Sequence, residues 1–117
     1  ERSLEASAAA WLAFGPAIVV VTRGPEGAFA LTTAGDRVAV AGRPVAVSDT
    51  VGAGDAFTTG LLASLERDRL LDAATLRRLA PERLSEAMRV GNATAAITCM
   101  RAGSEPPTLP ELEAALA

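Results

Sequence analysis

With 117 residues and a formal net charge of −3, its acids and bases interspersed, the chain fits one domain or part of a larger one and carries neither a nucleic-acid footprint nor a polybasic membrane surface. Half of its residues are hydrophobic, only 3% are aromatic and Ala is abundant, which favours close-packed helices over disorder or an aromatic-rich binding surface. All 11 basic residues are Arg, with no Lys and no His, so a Walker-type phosphate loop, a protein-kinase core, Ser–His or Cys–His hydrolytic machinery and His-based metal sites cannot be built from these residues.

The chain opens on Glu1-Arg2, which does not begin a signal peptide, and enters a helical pattern without a Met; a fragment or processed product is expected. Ser3 caps a predicted helix to about Phe14, with Leu4, Ala8, Trp11 and Leu12 as its apolar side, and Gly15-Pro16 stops it. Residues 17–21 form a β-branched run, too short to span a bilayer, that reads as a strand buried on both faces of a parallel sheet. A turn over 22–27 leads to a strand at 28–32, and a second turn at Ala34-Gly35-Asp36 leads to a strand at 37–41: a hairpin on the edge of an otherwise parallel sheet. Residues 45–47 read as a short strand. A helix over 53–67 follows, its buried face Ala56, Phe57, Gly60, Leu61, Ser64 and Leu65. Asp72 or Thr75 starts a short helix that ends before Pro81. The longest helix runs over 82–100, apolar at Leu84, Ala87, Met88, Gly91, Ala95 and Cys99. Pro106-Pro107 is a stiff connector, and a last helix covers 109–117. The lone Cys99 excludes an intramolecular disulfide, fits a reducing cytoplasm and reads as a buried small hydrophobe. Strands alternating with helices predict an α/β fold with a mainly parallel sheet, whose ligands bind at the C-terminal strand ends.

One loop at such an end carries chemistry. Asp49-Thr50-Val51-Gly52-Ala53-Gly54-Asp55-Ala56-Phe57 places small residues and a carboxylate at the mouth of a helix. Backbone N–H groups at a helix N-terminus, approached closely through glycines, attract phosphate. Asp55, in the same turn, would repel that phosphate and is better suited to take a proton from an attacking hydroxyl. An anion cradle beside a base is equipment for phosphoryl transfer to an alcohol.

D-T-V-G-A-G-D-A-F, continued by T-T-G-L-L, resembles the C-terminal signature of the ribokinase/PfkB family of sugar kinases, and with V-T-R-G-P-E-G-A it is most similar to the fructokinases. The resemblance implies a three-layer α-β-α ribokinase-like fold and ATP-dependent phosphorylation of a sugar hydroxyl. It implies Asp55 as the catalytic base and Gly52, Ala53 and Gly54 as the anion hole. A first-turn Asp is often only a helix cap, but Asp49 and Thr50 already offer that chemistry. Residues 22–27 are similar to the family's second nucleotide loop, so Thr22, Arg23, Gly24 and Gly27, with Gly54, are expected to meet ATP. From the residues alone, T-x-G-x-x-G serves equally as a strand-connecting turn, and Arg23 either meets a phosphate or stays a solvated loop charge. Asn92, in Gly91-Asn92-Ala93-Thr94-Ala95-Ala96, matches the Asn of the helix that walls the adenine site.

By the same resemblance Mg²⁺ arrives with the nucleotide. A monovalent cation such as K⁺ matches Asp49 with the carbonyls of Val51, Thr98, Arg101 and Gly103, although Asp49 explains itself equally well as a turn-former. The implied partners are a sugar and ATP, with neither nucleic acid nor membrane, and the resemblance allows a homodimer in the full-length protein. It covers nearly the whole chain but about the last third of a full family member. Residues 1–117 are therefore expected to be the C-terminal, ATP-binding and catalytic portion, lacking the sugar-binding N-terminal half and lid and inactive alone. Ribose, 2-keto-3-deoxygluconate and nucleosides stay open as substrates. A non-catalytic nucleotide-binding or regulatory module stays open as a different class.

Overall fold

A computed structural model describes residues 3–43, 52–101 and 106–117. Helix α1 (Leu4–Leu12) begins where the Ser3 hydroxyl accepts from the Ala6 N–H at 3.1 Å, the expected cap. It stops two residues earlier than predicted, and Trp11 and Phe14 stay exposed, packed edge-to-face on each other with ring centres 6.2 Å apart. Of the predicted apolar side, Ala8 alone is buried.

Strands β1 (Ile18–Thr22), β2 (Ala28–Thr32) and β3 (Arg37–Val40) follow in antiparallel order β1-β2-β3. The predicted hairpin is present, with Ala30 opposite Val38 and Ala28 opposite Val40. Parallel pairing does not occur among the described residues: β1 pairs with β2 alone, and Val19, Val20 and Val21 are half-buried where full burial was expected. The predicted strand at 45–47 lies outside the described residues.

Residues opposite one another in a ladder share a face, so Ile18 and Val20, Ala28 and Ala30, Val38 and Val40 line one side of the sheet. That side meets Phe57, Leu84 and Met88 in the main core. The first and last of these helical residues come from α2 (Ala53–Arg67) and α4 (Pro81–Cys99). The other side carries Phe29, with the Arg37 guanidinium 5.1 Å from its ring centre, and α1 packs against β1 and β2. Helix, sheet and helix thus form three layers.

Helix α2 has its predicted bounds and buries Phe57, Gly60, Ser64 and Leu65, while Ala56 and Leu61 are half-buried. It crosses α4 through glycines. A β-carbon at Gly60 would sit 2.5 Å from Thr94 Oγ1, and one at Gly91 would sit 2.8 Å from the Phe57 carbonyl. Thr94 cannot yield easily, because its hydroxyl donates to the Val90 carbonyl at 2.8 Å. Overpacking such a contact costs about 1–3 kcal/mol, so Gly60→Val is expected to lower the urea midpoint accordingly. An unchanged midpoint would show that the two helices separate without cost.

Arg83 ties the far end of the pair, donating to the Ser64 carbonyl at 2.7 Å and to Asp68 at 2.8 Å. Between α2 and α4 lies short α3 (Ala73–Leu76), whose cap is Asp72; the Thr75 hydroxyl, then the Thr75 N–H, hold its carboxyl below the ordinary carboxylate value. The last helix, α5 (Leu109–Leu116), starts from a reciprocal cap between Thr108 and Glu111. Arg101 joins it to the end of α4 through an ion pair with Glu111 and a 2.8 Å bond to the Pro106 carbonyl.

Candidate active site

Four separate segments meet at one cleft of about 770 Å³: the turn after β1, residues 42–43 after β3, the start of α2 and the C-terminal half of α4. The turn is a single 3₁₀ turn, Gly24–Glu26, closed by Arg23 N–H donating to the Gly27 carbonyl at 2.7 Å. Gly27 has φ +95°, and a β-carbon there would lie 2.7 Å from the Gly42 nitrogen, so both backbone shape and space require glycine.

Gly52 opens α2 with φ +81°, and its carbonyl accepts from the Ala56 N–H at 2.9 Å. Among the described residues no side chain caps this end, so the first N–H groups stay available to an anion. A β-carbon added at Gly54 would enter open space, with nothing within 4 Å. The protein's own packing therefore does not demand glycine at 54; the emptiness beside the N–H groups is what glycine preserves. Asp55 follows directly and is exposed.

Of the residues expected to meet a nucleotide or an anion, Thr22, Gly24, Gly27, Ala53, Gly54 and Asn92 line this one cleft. Arg23, Gly52 and Asp55 adjoin it in sequence but are not in its lining. Arg23 pairs with Glu26 at 2.8 Å on an exposed face, which favours the solvated-charge alternative. Asn92 is half-buried, and its amide nitrogen donates to the Ala41 carbonyl at 2.8 Å. Ala95 packs against the core, as read for the α4 stripe, and also lines the cleft, whereas Cys99, read as part of the same stripe, is half-buried in the cleft wall. Cys99 is thus a lining thiol and not a core residue.

Pro25, Gly42, Arg43, Phe57 and Ala96 also line the cleft, though none was singled out as a ligand-binding side chain. Pro25 and Ala96 stand inside motifs already noted; nothing in the sequence distinguishes Gly42 or Arg43. Of the cation set, Thr98 lies in the last turn of α4 and Arg101 two residues past its end, the Thr98 carbonyl accepting from the Arg101 N–H at 3.2 Å, while Asp49, Val51 and Gly103 lie outside the described residues. A second cleft of about 680 Å³ shares Arg43 and Asn92 but is otherwise lined by residues such as Arg67, Glu86 and Arg89, none of them in the signature.

Residues 1–112 match the pfkB family carbohydrate kinase. The chain belongs to that family. Its relatives include a fructokinase of Rhizobium leguminosarum bv. trifolii, 53% identical over 68 residues, a match that covers 57% of this chain and 20% of the relative. Among solved structures, the Vibrio cholerae O395 fructokinase in its fructose-, ADP- and calcium-bound form superposes with a TM-score of 0.79 at 29% identity, over 99% of this chain and 36% of that one. The Thermotoga maritima ribokinase superposes with a TM-score of 0.81 at 27% identity, over 98% of this chain and 35% of that one. The three-layer arrangement is therefore part of a ribokinase-like α/β fold, and this family member spans about a fifth to a third of the length of those relatives.

Proposed function

We propose that these residues form the nucleotide-binding and catalytic portion of an ATP-dependent sugar kinase that acts on fructose. The observation that carries this reading is the convergence of Thr22, Gly24, Gly27, Ala53, Gly54 and Asn92 on one cleft. The Vibrio relative, whose structure holds fructose and ADP, supports the substrate pair.

In this reading the triphosphate lies at the start of α2. The N–H groups of residues 52–54 stabilise charge that builds on the γ-phosphoryl oxygens during transfer. Asp55 accepts the proton of the sugar hydroxyl as its oxygen bonds to the γ-phosphorus, and ADP leaves along the opposite direction. With no lysine in the chain, backbone dipoles carry more of the neutralisation. No group of three or more Asp, Glu or Cys side chains among the described residues could hold a divalent ion, so magnesium is proposed to travel with the nucleotide phosphates. The carboxylate and carbonyl oxygens of Asp49, Val51, Thr98, Arg101 and Gly103 suit a hard monovalent ion, and potassium is proposed there. No helix among the described residues is long and apolar enough to cross a membrane.

A protein of the relatives' length that ends in these residues is expected to release ADP in a sugar-dependent manner, fastest with fructose. The 117 residues alone are expected to phosphorylate neither fructose, ribose nor ketodeoxygluconate, because the cleft among the described residues carries few polar side chains with which to select a sugar. Coupled ADP-release assays on both proteins check this. Fructose turnover by the short chain would refute the division of labour, and a long protein inert on every sugar would favour a regulatory module.

A further inference from the structure

Asn92 is bonded to protein, and that bond has a geometric consequence for the cleft. Its amide nitrogen reaches across 51 residues of sequence to the Ala41 carbonyl. Only a donor can pair with a carbonyl, so Asp or Leu cannot replace it. On its other side the same segment presses on the turn after β1. A β-carbon at Gly42 would overlap the Pro25 carbonyl and lie 3.0 Å from the Gly27 nitrogen, and one at Gly27 would lie 2.8 Å from the Ala41 carbonyl carbon. Residues 41–43 are thus held between α4 and the Gly24–Glu26 turn, and both contacts border the cleft. Beyond Asn92, α4 lines the cleft with Ala95, Ala96 and Cys99, and Pro25 lines it from the turn, so this slot is bounded by small and apolar side chains.

We propose that Asn92 is a positioning residue: by holding Ala41 it clamps Gly42 against the Gly24–Glu26 turn and sets the width of the slot that takes the nucleotide base. This rests on the nucleotide reading above. The clamp predicts that Asn92 and Gly42 act as one device, since loosening either side opens the same wall.

The test is calorimetric titration of this chain with a non-hydrolysable ATP analogue, using the parent, Asn92→Leu, Asn92→Gln, Gly42→Ala and the Asn92→Leu/Gly42→Ala double variant. Each of Asn92→Leu and Gly42→Ala is expected to raise Kd about 10-fold or more. The double variant is expected to bind no worse than the weaker single, the non-additivity of a shared device. Asn92→Gln keeps the donor and is expected to recover part of the affinity, with urea midpoints of the Asn92 variants near the parent's. Unchanged Kd in Asn92→Leu overturns the clamp, as does full additivity, which would make Asn92 a direct contact. Should Gly42→Ala fail to fold, the Leu and Gln pair still decides. A parent chain that binds no nucleotide removes the underlying reading itself, an outcome distinct from both.

Discussion

Asp55→Asn, in a protein of the relatives' full length, is expected to lower kcat at least ~10²-fold, the usual scale for a positioned base, with nucleotide affinity near the parent's. The substitution keeps size and shape but removes the group that accepts the hydroxyl proton. Asp55 is exposed at the first turn of α2 and bonds to nothing among the described residues that would make it a structural cap. Its loss should therefore leave folding intact. Steady-state kinetics with a near-normal kcat would remove Asp55 from the reaction.

Gly54→Val should separate function from stability even more sharply. Gly54 has ordinary helical φ, and the space its β-carbon would enter is empty. The fold can accept a side chain there, and replacing a helical glycine by valine offsets roughly 0.3 kcal/mol of its propensity cost. That side chain, however, fills the space beside the N–H groups proposed to meet phosphate. Loss of one oxyanion donor costs on the order of 10²–10³ in kcat. The expected result is an urea midpoint equal to or above the parent's, with turnover down by that factor. Parent-like turnover and nucleotide binding would place the cradle elsewhere. Gly60→Val makes the contrast: there the β-carbon meets Thr94, and stability falls.

Local signals account for what could be read in the sequence. The hairpin bounds followed from the Gly and Asp turn between two short, largely apolar segments, and the bounds of α2 followed from its 3.6-residue apolar spacing. The small residues Gly52, Ala53 and Gly54 of the signature sit at the start of α2, as their spacing predicts. Contacts between distant segments were not legible. Nothing in the sequence pairs Asn92 with Ala41 or sets Gly42 against Pro25, because backbone-on-backbone contact leaves no compositional mark. At Cys99, the end of the α4 stripe, spacing does not distinguish a core wall from a cleft wall, and the thiol lines the cleft. Periodicity likewise put Trp11 on a buried side of α1, where 65% of it is exposed. The T-x-x-E spacing of Thr108 and Glu111 is a local signal of the reciprocal cap that starts α5.

The central claim is that residues from β1's turn, α2's start and α4's C-terminal half together hold a nucleotide. Titration of the isotopically labelled chain with magnesium ATP, followed by amide chemical shifts, tests it most directly. Shifts concentrated at Thr22, Gly24, Gly27, Ala53, Gly54 and Asn92, saturating as one site, are the predicted result. Shifts concentrated instead at Arg67, Glu86 and Arg89 in the second cleft, or none at saturating nucleotide, would contradict it.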